Sequence, residues 1–75
     1  MKQIEIELPA YWASALVNGD WSCVDYYGAW LGVEIKAWLD ANPNVSIHSC
    51  SDQSYISRYR GLQCDMCTYY GVIDV

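Results

Sequence analysis

Lys2-Gln3-Ile4-Glu5-Ile6-Glu7-Leu8-Pro9 decides the fold. Ile4, Ile6 and Leu8 alternate with Glu5 and Glu7, the period of two that marks a strand with one buried face. Pro9 ends the alternation, and proline suits the first turn of a helix, where its missing N–H costs nothing. Pro9 to Val17 therefore reads as a short helix, stopped by Asn18-Gly19-Asp20. A strand followed directly by a helix sets up a sheet with helices laid against it.

Further along, Ser22-Cys23-Val24-Asp25 fits a capping box with Ser22 as N-cap, opening a longer helix that runs to about Leu39 or Asn42. Tyr27, Leu31, Ile35 and Trp38 make its apolar stripe. Gly28 and Gly32 weaken it, either to admit close packing or to break it in two. Asn42-Pro43-Asn44 is a stop. Val45–Cys50 alternates again as a strand, and Ser51–Ser54 reads as a polar turn. Tyr55–Arg60 and Cys67–Ile73 are rich in β-formers, with Gly61–Asp65 as the hairpin connection between them. The order β-α-α-β-β-β predicts an α+β fold: a small antiparallel sheet with two helices packed on one face. Ile4, Ile6, Leu8, Leu31, Ile35 and Trp38 are the expected core.

Size and composition narrow the function. The 75 residues form a single domain, 1–75, with no room for a nucleotide fold. Hydrophobic residues are 53% of the chain and charged residues 17%, too apolar for a disordered tail. Four Trp and seven Tyr, with no Phe, exceed what so small a core can hide, so some rings must face outward. The net charge of −5 repels phosphate and argues against direct nucleic-acid binding. The opening residues carry acids where a signal peptide needs an apolar core, and no segment is long enough to span a bilayer. These features predict a cytoplasmic monomer with no membrane partner, and reduced cysteines.

Leu8-Pro9-Ala10-Tyr11-Trp12-Ala13-Ser14-Ala15-Leu16-Val17-Asn18-Gly19-Asp20 resembles the opening of a family of small phage and prophage proteins of unknown function. Tyr55-Ile56-Ser57-Arg58-Tyr59-Arg60-Gly61-Leu62-Gln63-Cys64-Asp65 is similar to that family's C-terminal part. In the middle, Tyr26-Tyr27-Gly28-Ala29-Trp30 replaces the acid-rich stretch expected of the family. The resemblance implies a phage or mobile-element origin and supplies no active site. In size and charge alone, the chain is also similar to anti-CRISPR proteins and other DNA-mimicking inhibitors.

His48, Cys50, Cys64 and Cys67 offer the N and S donors that tetrahedral zinc prefers, which makes a zinc-stabilised adaptor the alternative reading. Yet His48 and Cys50 are too closely spaced for a zinc knuckle, and a lone CxxC is a weak motif. A redox role for Cys64 and Cys67 would want a helix N-terminus to lower a thiol pKa, and here strands flank the pair. One histidine and no nucleophile elbow argue against an enzyme. No cofactor is expected.

The surface remains. Between Leu8 and Ile35 lie Asp20, Asp25 and Glu34 and no base. Carboxylates on a rigid scaffold can imitate phosphates and engage the Lys/Arg channel of a basic nucleic-acid-binding protein, while nearby rings anchor the contact. The expected partner-binding residues are Asp20, Trp21, Asp25, Tyr26, Trp30 and Glu34. The expected function is inhibition of a host CRISPR effector by acidic DNA mimicry.

Overall fold

A computed structural model describes residues 1–74. Strand β1 (Lys2–Pro9) leads into a single 3-10 turn (Ala10–Trp12) and helix α1 (Ala13–Asn18). Helices α2 (Ser22–Tyr27) and α3 (Ala29–Ala41) follow, then strands β2 (Val45–Tyr59) and β3 (Leu62–Ile73). The sheet is antiparallel, in the order β1-β3-β2. The α+β class stands, with three strands in place of four and the long helix divided.

The two predicted C-terminal strands are one. Ser51–Ser54 was expected to turn the chain, but β2 runs straight through it. Register shifts between Ile47 and Ser49, and between Cys50 and Ser54, absorb the surplus residues as bulges. The hairpin turn also lies earlier than expected. Arg60 and Gly61, with φ of 54° and 81°, form a two-residue connection of the primed type that suits strand twist. Cys64 and Asp65 are therefore strand residues, paired with Ser57 and Ile56.

One core holds the layers together. Leu8, Trp12, Ala15, Leu31, Ile35, Trp38, Cys67 and Tyr69 form its buried cluster. Trp12 has no exposed surface and meets Tyr59 edge-on at 5.4 Å between centroids. The Tyr69 hydroxyl donates to the Pro9 carbonyl at 2.7 Å, tying the centre of the sheet to the end of β1. Ile6 is only half-buried against this cluster. Ile4 lies beyond it, half-buried beside His48 and Tyr70. Leu8, 2% exposed, is thus the best covered of the three alternating residues. Leu8→Ala is accordingly expected to cost about 2–5 kcal/mol, and Ile6→Ala clearly less, in paired urea titrations.

Candidate protein-binding surface

The surface that the sequence singles out is built around the junction of α2 and α3. At Gly28, φ of 121° and ψ of 163° take the backbone out of the helix. Few L-residues adopt that φ, so glycine fixes the break here. α3 restarts at Ala29, with the Leu31 N–H donating to the Gly28 carbonyl at 3.2 Å. At the other end of α2, Ser22 is the first helical residue and not the N-cap. The Asp20 Oδ1 accepts the Ser22 N–H at 3.0 Å and closes the helix start. That bond holds the Asp20 carboxyl below its ordinary range. As pH falls through the lowered folded value, the bond and its support for α2 are lost.

The break turns a group of rings outward. Tyr26 is 83% exposed and Trp30 53% exposed, with Tyr27 and Val33 also on the surface. Tyr27 thus leaves the core stripe expected of it. Tyr11, from the 3-10 turn, is half-buried and touches both neighbours: its ring lies 5.5 Å from Tyr27 and 6.4 Å from Trp30. Tyr26 and Tyr27 meet edge-on at 4.9 Å. The Trp30 Nε1 donates to the Tyr27 carbonyl at 2.9 Å, which fixes the indole. Burial first, then the nearby Cys64 and Glu34, push the Tyr11 hydroxyl up to about 12. Glu34 follows Trp30 by one turn of α3. Tyr11 was not among the expected surface residues, because its place after Pro9 reads as an ordinary helix position.

The remaining expected residues lie along a separate groove between α2 and α3. Its volume is about 690 Å³, and Trp21, Val24, Asp25, Ala29, Val33 and Lys36 line much of it. The Lys36 Nζ sits 6.0 Å from the centre of the Trp21 ring, a cation–π contact. The six expected residues thus fall into two neighbourhoods. Trp21 and Asp25 share the groove, with Asp20 at the start of α2, while Trp30 and Glu34 flank Tyr11 and Tyr26 lies against Tyr27.

The alternative zinc set is not assembled. Cys64 and Cys67 are three apart on a regular strand, so they point to opposite faces. Cys67 is buried beside Cys50 and Tyr69, whereas Cys64 adjoins Tyr11. His48 is exposed in the first bulge, near Glu5 and Tyr70. Among the described residues, no group of three or more His, Cys, Asp or Glu side chains is placed to hold a metal ion. Burial pushes the Cys64 and Cys67 thiols above their ordinary range, away from reactive thiolate.

Elsewhere, the Tyr55 hydroxyl donates to Glu7 Oε2 at 2.5 Å, and the Ser57 hydroxyl reaches Oε1 at 3.5 Å. That carboxylate is held across the sheet. No helix among the described residues is long and apolar enough to cross a membrane. No protein-family model matches this chain, and neither a curated protein nor a solved structure matches it significantly.

Proposed function

We propose that this chain is a non-enzymatic inhibitor of mobile-element type that docks on a basic nucleic-acid-binding complex of its host. A CRISPR effector is the target we favour. Inhibition would come from covering the surface on which nucleic acid lies, with the acids standing in for phosphates. The observation that carries this reading is the set of outward rings, Tyr26, Tyr27 and Trp30, beside Glu34 in a chain of net charge −5. Exposed aromatics anchor protein interfaces, and opposite charge steers the encounter. The net charge of −5 supports a basic partner over an acidic one.

The test is a DNA-binding assay on purified effector complexes, with and without this protein. Wild type is expected to displace target DNA from its effector, and to do so less well as salt rises. A variant carrying Asp20→Asn, Asp25→Lys and Glu34→Lys reverses the local charge while Asn keeps the cap at the start of α2. It is expected to melt close to wild type and to lose inhibition. Full inhibition by the folded variant would overturn the phosphate-mimicry mechanism. No displacement from any effector would overturn the choice of target.

A further inference from the structure

We infer that the corner formed by Tyr11, Tyr27, Trp30 and Glu34 is a receptor for a guanidinium group, and that it takes an arginine side chain of the partner. The inference rests on the occlusion reading above and gives its contact surface a specific chemistry.

Three features select that ligand. The first is what the rings leave on offer. The Trp30 N–H is already engaged by the Tyr27 carbonyl at 2.9 Å, so the 53% exposed indole offers ring surface in place of a hydrogen-bond donor. An aromatic face is electron-rich and attracts cations. The second feature is charge. Glu34 stands one helical turn beyond Trp30 on α3, which places its carboxylate on the same side of the helix as the Trp30 ring. A carboxylate there repels anions and adds a full charge to the attraction for a cation. The third is rigidity. Tyr11 is half-buried and contacts both Tyr27 and Trp30, and Trp30 is pinned through its nitrogen, so little side-chain freedom is lost on binding.

Three of the chain's four Lys and Arg side chains are engaged elsewhere. Lys36 lies over Trp21, and the Arg60 guanidinium lies 5.6 Å from the centre of the Tyr59 ring. Arg58 donates to the Gly61 carbonyl at 3.4 Å in the hairpin turn. The corner thus repeats, on the exposed surface, a ring-and-cation pairing that the protein uses twice within itself. Arginine fits better than lysine. Its flat guanidinium stacks on a ring while its edge meets a carboxylate, whereas an ammonium is a compact and strongly hydrated point charge.

The experiment titrates the protein with oligo-arginine and oligo-lysine peptides of equal length, following the Trp30 indole N–H resonance and the affinity of each. Oligo-arginine is expected to shift that resonance and to bind about five- to tenfold more tightly than oligo-lysine. Trp30→Leu is expected to remove the preference and leave only the weak attraction common to both peptides. Glu34→Gln, which perturbs packing least, should weaken oligo-arginine binding and keep the resonance shift. Equal affinities in wild type, or a preference that survives Trp30→Leu, would overturn the receptor. Its fate separates cleanly from that of the occlusion reading. A protein without arginine preference that still displaces DNA from an effector overturns the receptor alone. Arginine preference at Trp30 in a protein that displaces DNA from no effector upholds the receptor and overturns the choice of target.

Discussion

Alanine in place of Gly71 is expected to abolish the native fold. Gly71 lies in the middle strand, paired with Ile4 on one side and Ile47 on the other, so neither neighbour can move away freely. A Cβ built there would lie 2.2 Å from the Ser46 carbonyl oxygen, 3.0 Å from its carbon and 3.1 Å from the Ile47 Cα. All three are backbone atoms of β2, and no rotamer change relieves the clash. Overpacking a core usually costs about 1–3 kcal/mol because side chains give way; here a strand must shift instead. Far-ultraviolet circular dichroism of Gly71→Ala should show the loss. A wild-type spectrum and melt would mean that β2 sits farther from β3 than described.

Trp12→Ala is the second large effect. The indole is fully buried among Leu8, Ala15 and the α3 residues of the core, and it meets Tyr59 edge-on. Truncating a buried tryptophan costs about 3–5 kcal/mol, against a total stability of about 5–15 kcal/mol for ordinary domains, to which a chain this short contributes little spare core. The variant should be largely unfolded at modest urea, while Trp12→Phe keeps most of the ring and most of the stability. If denaturation curves for Trp12→Ala overlay wild type, Trp12 does not organise the core.

Much of this architecture was legible from residue patterns. The alternation from Lys2 to Leu8 marks β1, and Asn18-Gly19 ends α1 with Gly19 in the left-handed region. Leu31, Ile35 and Trp38 read correctly as the inner face of a helix. The misreadings have physical causes. Ser51-Asp52-Gln53-Ser54 has turn composition, but a bulge can hold surplus polar residues within a strand, and composition does not distinguish the two. Arg60 hid the hairpin turn because arginine is an unusual choice for positive φ. The exposure of some rings was legible: so many cannot all be buried, and Tyr26 and Trp30 do face outward. Tyr11 was missed, since its contacts with Tyr27 and Trp30 depend on how the turn after Pro9 folds back.

The pairing of β1 with β3, Lys2 opposite Ile73, has a consequence during synthesis. β2 and β3 meet across two residues and can zip as soon as both exist, in about 1–10 μs. β1 leaves the ribosome before the helices and β2, yet the strand that completes it follows all of them. It stays unpaired until β3 is made, with Ile4, Ile6 and Leu8 open to any other extended chain. Glu5 and Glu7 sit between those residues, and like charges set at alternate positions oppose stacking with another copy. The acids of β1 thereby act as gatekeepers for the nascent chain.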